Sequence, residues 1–231
     1  MTVLLAEDLL LLVTDDASGR LSAPADRVNA GLGGANLVEL TLRNKVDLTG
    51  EQDPGRPGRI IVRDPSPPGD AILDAALEIL IARQGRRPSA VIGPLSKNLR
   101  RTLYQRLADR GVVRAERGRI FGVFPVRRWP AQDASDEAEV RRLMTQALVQ
   151  DEAPDARTAA LIALAHAVGC VDKIVDARQH GLSKRQLRAR AKKISEGNWA
   201  SAAVRKAIED MMAAVIVTIT NAGAAGSGSA R

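Results

Sequence analysis

At 231 residues with 45% hydrophobic content, the chain is long enough to bury a sizeable core, and one domain is expected. Aromatic residues make up only 2%, so that core must rest on Leu, Ala, Val and Ile; the heavy Ala, Leu and Arg usage favours helix and suggests a high-GC bacterial genome. The net charge of +7 directs attention to acidic partners, while a single cysteine, Cys170, excludes an internal disulfide and any cysteine-based metal cluster.

Val3 to Val13, VLLAEDLLLLV, reads as a short helix buried on most of its circumference and closed by the polar turn Thr14 to Arg20. The apolar run is interrupted by Glu7 and Asp8 and lacks a basic leader, which is not the pattern of a secretory signal. Asp26 is placed to cap a second helix reaching about Arg43, in which Gly31, Gly33 and Gly34 each cost about 1 kcal/mol relative to alanine. Two explanations stay open: another backbone packs closely against them, or the helix is interrupted to leave a shallow ligand site. No strand precedes GLGG in a βαβ arrangement, so it is not a phosphate fingerprint.

Lys45 to Leu48 and Arg59 to Val62 read as short strands around the loop EQDPGRPG, and DPSPPGD ends the second. Asp70 is a natural N-cap for AILDAALEILIAR, a helix with Leu73, Ala76, Leu77 and Leu80 on one apolar face and Ile72 and Ile79 at its edge. It ends in the basic QGRRP turn, after which the most informative stretch begins.

That stretch runs from Ser96 to Trp129. Leu99, Leu103 and Leu107 recur every four residues as the stripe of an amphipathic helix, with Lys97, Arg100 and Arg101 off the stripe, and Gly111 ends it. A hairpin follows, turning at Gly118 and carrying Ile120, Phe121, Val123 and Phe124, which include both phenylalanines of the chain. From Arg83 to Arg128 there are thirteen basic residues and two acidic ones, a local excess of eleven positive charges in a chain whose total is +7. The positive field is therefore concentrated on one region, as suits a polyanion.

After the polar linker PAQDASDEAE, helices are expected over about Glu137 to Gln150, Pro154 to Val168 and Val171 to Gln179. Ala159 to Val168 is apolar nearly all round except at His166, which places it at the centre of the fold with His166 as a core histidine. LSKRQLRARAKKI forms a second basic helix with a solvated face, a last helix runs from Trp199 to about Thr220, and residues 221–231 form a flexible tail. The fold class expected is mainly α: a single globular helical domain over residues 1–220 around a buried central helix, with a small β-hairpin and short strands.

No HExxH, GxSxG or Walker-type spacing is present, so no catalytic residues, metal or cofactor are expected. The longest apolar runs, Ala159 to Ala165 and Met211 to Val217, fall far short of the ~20 residues of a membrane span, so any membrane contact is peripheral. The helix, glycine and hairpin order resembles a winged-helix DNA reader, but the hairpin is more apolar than a phosphate-touching wing requires. Apolar groups flanked by Arg117, Arg119, Arg127 and Arg128 suit a bilayer interface, with an ordinary core-covering hairpin as the alternative.

Six segments in the same order, LLAEDLLLLV, GLGGANLVEL, DPSPPGDAILDAAL, LRRTLYQRLADRGVV, RTAALIALAHAVGCVDKIV and MMAAVIVTI, resemble the Golgi phosphoprotein 3 family. The resemblance implies a bacterial member of a family of non-enzymatic peripheral membrane proteins that bind phosphatidylinositol-4-phosphate. The family's two pocket arginines before the hairpin fall on Lys97 and Arg100, and their i, i+3 spacing would put both charges on one helix face. The family's pocket tryptophan and third arginine fall on Pro24 and Gly33, with Arg27 and Arg101 as candidate replacements. The hairpin, through Arg117, Arg119, Ile120, Phe121, Val123 and Phe124, would contact the membrane and support self-association. An anionic lipid headgroup is thus the expected partner, nucleic acid is not, and the expected location is cytoplasmic, reversibly associated with the inner membrane surface.

Overall fold

Leucine spacing and three small residues decide how the helices assemble. The computed structural model describes residues 3–120, 124–196 and 211–222, and of residues 117–120, 124–127 and 136 the backbone alone. Helices α1 (Leu5–Leu12) and α2 (Ala25–Leu42) are followed by an antiparallel strand pair, β1 (Val46–Leu48) with β2 (Ile60–Val62), in the register Val46 to Val62. Then come α3 (Ala71–Ile81), α4 (Pro88–Ser96) and α5 (Leu99–Asp109), and a second antiparallel pair, β3 (Glu116–Ile120) with β4 (Phe124–Arg128). Helices α6 (Ser135–Val149), α7 (Ala156–Val168), α8 (Val171–Ile174), the 3-10 turn Ala177–His180 and α9 (Lys184–Ser195) follow, and residues 211–222 form a further helix, α10. The protein is a mainly α single domain, as its composition leads one to expect.

The core is continuous from α1 through α10 and is built almost entirely of aliphatic side chains. Helix α7 is buried nearly all round, from Thr158 to Ala165 and at Ala167 and Val168. Its Asp155 N-cap accepts from the Thr158 N–H at 2.6 Å, and Gly169 ends it in the left-handed region at φ 86°. Helix α3 follows its sequence pattern closely, with Leu73, Ala76, Leu77 and Leu80 buried and the Asp70 carboxylate accepting from the N–H groups of Ile72 and Leu73.

The glycines of α2 are explained by packing. A Cβ on Gly31 would lie 2.7 Å from Val168 Cγ2 of α7, one on Gly33 would lie 2.8 Å from the Ile92 carbonyl oxygen of α4, and one on Gly34 would meet Val215 of α10. Three different helices thus approach α2 to near-backbone contact, a gain in dispersion that offsets the helix-propensity cost.

Several boundaries differ from the sequence reading. Pro24, not Asp26, is the N-cap of α2, and it provides no side-chain bond. The helix expected from Val171 to Gln179 is broken after α8, because Val175 is extended (φ −117°, ψ 121°) and the chain restarts at the Asp176 cap. Helix α4 had no counterpart in the sequence reading. Proline at its first position fits a helix start, while Pro94 inside it hides the helical pattern. The expected start of the last helix at Trp199 and most of the expected tail lie outside the described residues.

Two buried ion-pair systems hold the helices in register. Glu7 of α1, fully buried, accepts a two-pronged contact from Arg106 of α5, with Nε and Nη2 each 2.9 Å from a carboxylate oxygen, and a third contact from Arg110 at 3.2 Å. Arg106 also donates to Asp70 at 2.7 Å, which ties α1, α3 and α5 together. Arg157 of α7 bridges Asp8 of α1 at 2.7 Å and Glu39 of α2 at 3.0 Å, and donates to the Val3 carbonyl at 2.7 Å.

Burial has a titration consequence. It pushes the Asp8 carboxyl up to about 6 against the pull of Arg157, and the Glu137 carboxyl up to about 7 against the pull of Arg141, 2.5 Å away. Both folded values exceed the ordinary ones, so the folded state binds the extra protons. The stability they contribute is complete below the ordinary carboxylate range and is lost as pH rises through about 6 for Asp8 and about 7 for Glu137. Urea midpoints are expected to fall between pH 5 and pH 8, and a Glu137→Gln variant should show a shallower fall.

Candidate functional site

The basic stretch does not act as one surface, because its arginines divide between interior and exterior. Arg106 and Arg110 turn toward Glu7, and Arg114 pairs with Glu116. Arg100 is half-buried, whereas Lys97 and Arg101 are exposed. Among the described residues, none of these last three makes an ion pair.

Lys97 and Arg100 do not share a helix, which corrects the i, i+3 expectation. Lys97 is the extended C-cap of α4 (ψ 119°), and Asn98, left-handed at φ 59°, resets the chain before α5 begins at Leu99. The α4–α5 junction is therefore a corner that presents short segments of two helices. Ser96 at this corner sits behind Gly33, so the missing side chain of Gly33 lets the corner seat against α2. Close packing thus accounts for Gly33.

A cleft of about 660 Å³ opens at this corner. Arg100 and Arg101 line one side, Asn29 and Ala25 of α2 another, and Gly19, Arg20 and Leu21 of the loop after α1 a third. Tyr104 and Trp129 also line it, their rings stacked at a centroid distance of 4.9 Å and an interplanar angle of 2°. The Tyr104 hydroxyl is hydrogen-bonded to Thr14 Oγ1 at 2.7 Å, so the aromatic pair is fixed to the end of α1. Burial raises the Tyr104 hydroxyl above its usual range, which keeps it neutral. No carboxylate is among the described residues that line the cleft.

Lys97 lines an adjoining cleft of about 710 Å³ with Arg83, and the two clefts share Asn29, Ser96 and Asn98. The corner thus has Arg20, Arg100 and Arg101 on one side and Lys97 and Arg83 on the other. Such a site can hold an anion by charge and by guanidinium and amide donors, without needing metal or cofactor chemistry. Arg27 is not among these residues; it opens on a separate cleft with His166 and Arg188.

The loop carrying Arg20 is stitched to the base of the hairpin. Trp129 N–H donates to the Gly19 carbonyl at 3.4 Å, Ala131 N–H donates to the Asp16 carbonyl at 3.0 Å, and Val113 and Ala131 form an isolated bridge. Gly19 is left-handed (φ 60°), and a Cβ there would lie 2.7 Å from the Pro130 nitrogen, so only glycine allows this approach. Of the hairpin residues expected to touch a membrane, Phe121 and Val123 lie outside the described residues, as do the side chains of Arg117, Arg119, Ile120 and Phe124. The strand pairing itself is described, from Glu116 opposite Arg128 to Ile120 opposite Phe124.

Sequence reasoning missed Arg20, Asn29, Tyr104 and Trp129. Tyr104 is the only tyrosine and Trp129 one of two tryptophans in the chain, so aromatic scarcity was the available signal for the cleft wall. Arg20 carried none, since it sits in a polar turn remote in sequence from the basic stretch. No helix among the described residues is long and apolar enough to cross a membrane.

Fold and cleft together define the class: a mainly helical protein with a cation-lined corner between two helices, joined through a short loop to a β-hairpin. The chain belongs to the Golgi phosphoprotein 3 (GPP34) family, whose model matches residues 5–211. It is similar to vacuolar protein sorting-associated protein 74 of Eremothecium gossypii, at 26% identity over 224 residues. That match covers 79% of this chain and 66% of the relative, so the chain spans slightly less than two thirds of that protein's length.

Proposed function

We propose that the protein is a peripheral membrane protein that binds anionic, phosphorylated lipid headgroups, phosphatidylinositol-4-phosphate being the ligand that family membership favours. Arg100 and Arg101 grip the phosphate from the corner cleft, and Lys97 contributes from its rim. The apolar hairpin supplies a shallow anchor in the interface, and the protein works at the cytoplasmic side of a membrane without catalysing a reaction.

The observation that carries this reading is the corner cleft, with several cations and, among the described residues, no lining carboxylate to neutralise them. A surface cation near an anionic bilayer contributes about 1 kcal/mol. Three such cations amount to on the order of a hundredfold in affinity.

Cosedimentation with phosphatidylcholine vesicles, with and without phosphatidylinositol-4-phosphate, tests it. The wild-type chain should pellet with the phosphoinositide vesicles, and a Lys97→Ala, Arg100→Ala, Arg101→Ala variant should lose on the order of a hundredfold in affinity. Wild-type binding should also weaken with added salt, as exposed charges become screened. Equal pelleting of both proteins would remove these residues from the site.

A further inference from the structure

Arg27 carries a buried donor that the described fold leaves without an acceptor. It sits in the first turn of α2, half-buried, and its Nε lies in the interior without a hydrogen-bond partner among the described residues. Its Nη1 lies 3.5 Å from where a Cβ on Gly169 would stand, which puts the guanidinium beside the end of α7. An interior N–H donor without an acceptor carries a desolvation cost, and a bound anion or water is the ordinary way to remove it.

The surroundings favour an anion. Arg27 lines a cleft of about 310 Å³ with His166 of α7, Val171 and Asp172 of α8, and Arg188 of α9. Asp172 is already committed, since it accepts from Arg188 Nη2 at 2.9 Å and lies 3.5 Å from Lys184 Nζ. Lys192 also bears on His166 from α9, and with Arg188 it holds the imidazole below its usual range, after burial as the larger cause; Glu196 is the opposing charge. The site therefore combines the guanidinium of Arg27, an imidazole, and Arg188, whose Nη2 is engaged by the lining carboxylate of Asp172. Its volume is at the lower end of small-molecule sites, which matches a phosphate group better than a large ligand.

We infer that Arg27, Arg188 and His166 form a second anion site, distinct from the α4–α5 corner, that takes a phosphate or phosphomonoester group. The Arg27 fork from α2 would hold one phosphate edge, the N–H groups of Arg188 not engaged by Asp172 would reach it from α9, and the imidazole would supply one further donor from α7. Because the site draws on four helices, an occupant would also join α2 to the end of α7. A lipid headgroup and a soluble phosphate share this chemistry.

The test uses the whole chain and follows the His166 ring resonances by NMR while inorganic phosphate is added at constant pH and ionic strength. A His180→Gln background leaves His166 as the only imidazole. The expected result is a saturable shift of the His166 signals, retained in an Arg100→Ala, Arg101→Ala variant and weakened at least tenfold in Arg27→Gln and in Arg188→Gln. Arg188 is exposed and Arg27 half-buried, and folding of each variant is checked by its circular dichroism spectrum. If one variant fails to fold, the other carries the comparison.

A parallel arm adds vesicles containing phosphatidylinositol-4-phosphate to the Arg100→Ala, Arg101→Ala protein. Broadening of the His166 signals there assigns the site to a lipid headgroup; a response to soluble phosphate alone assigns it to a free phosphate or phosphomonoester. No saturable shift with phosphate, or a shift unchanged in Arg27→Gln and Arg188→Gln, overturns the inference. Either result is independent of whether the corner cleft binds lipid.

Discussion

A Glu7→Ala variant is expected to lose about 3–5 kcal/mol of stability, a large part of what holds a domain of this kind folded. Glu7 is completely shielded from solvent and receives two guanidinium groups as well as the Leu4 N–H at 2.9 Å. Removing the carboxylate leaves Arg106 with Asp70 as its remaining ion-pair partner among the described residues. Urea unfolding measures the loss. Glu7→Gln should cost less, because an amide oxygen can still accept one of the bonds. The double variant Glu7→Ala, Arg106→Ala should cost less than the sum of its parts, since the charge left stranded by the first change is removed by the second.

The second large effect is expected at Arg157. Its replacement by alanine leaves Asp8 and Glu39, each with a side chain only 5% exposed, facing one another without the cation that separates them. Glu39 keeps Arg43 at 2.8 Å, but Asp8 has no other ion pair among the described residues. The cost should be about 3–5 kcal/mol at pH 8 and smaller at pH 5. The sign follows from Asp8, whose carboxyl already titrates high through burial. Without Arg157 it should rise further, so protonation at low pH relieves the variant and ionisation at high pH penalises it. Urea unfolding at the two pH values separates this from a simple packing loss, which would cost the same at both.

How much of this was legible in the sequence depended on how local each signal was. Helix α3 could be read almost to the residue, since its cap and its apolar face lie within one short segment. The burial of α7 followed equally from an apolar run with no polar stripe. The glycines of α2 announced a close approach, but not by which neighbours, because Val168, Ile92 and Val215 come from three distant parts of the chain. Helix α4 was hidden by its own composition, with Gly93 and Pro94 interrupting the pattern.

Charge was the signal most easily over-read. Thirteen basic residues in one stretch suggested a single positive surface, yet spacing along a chain cannot reveal that Arg106 reaches back 99 residues to Glu7. The left-handed turn at Asn98 was equally invisible, and it separates Lys97 from the helix that carries Arg100. Family resemblance pointed to Lys97 and Arg100 without supplying the corner geometry. Arg20 and Trp129 enter the site only because the loop after α1 is bonded to the base of the hairpin.

The three bare positions on α2 limit how this architecture can vary. With neighbouring helices already seated near its backbone, the core has little slack at those points, and enlarging a side chain there would lever several helices apart at once. Length and sequence drift can be absorbed more readily at the periphery, in segments such as the exposed turn between β1 and β2. Evolutionary change should therefore collect around the rim while the interior spacing stays fixed.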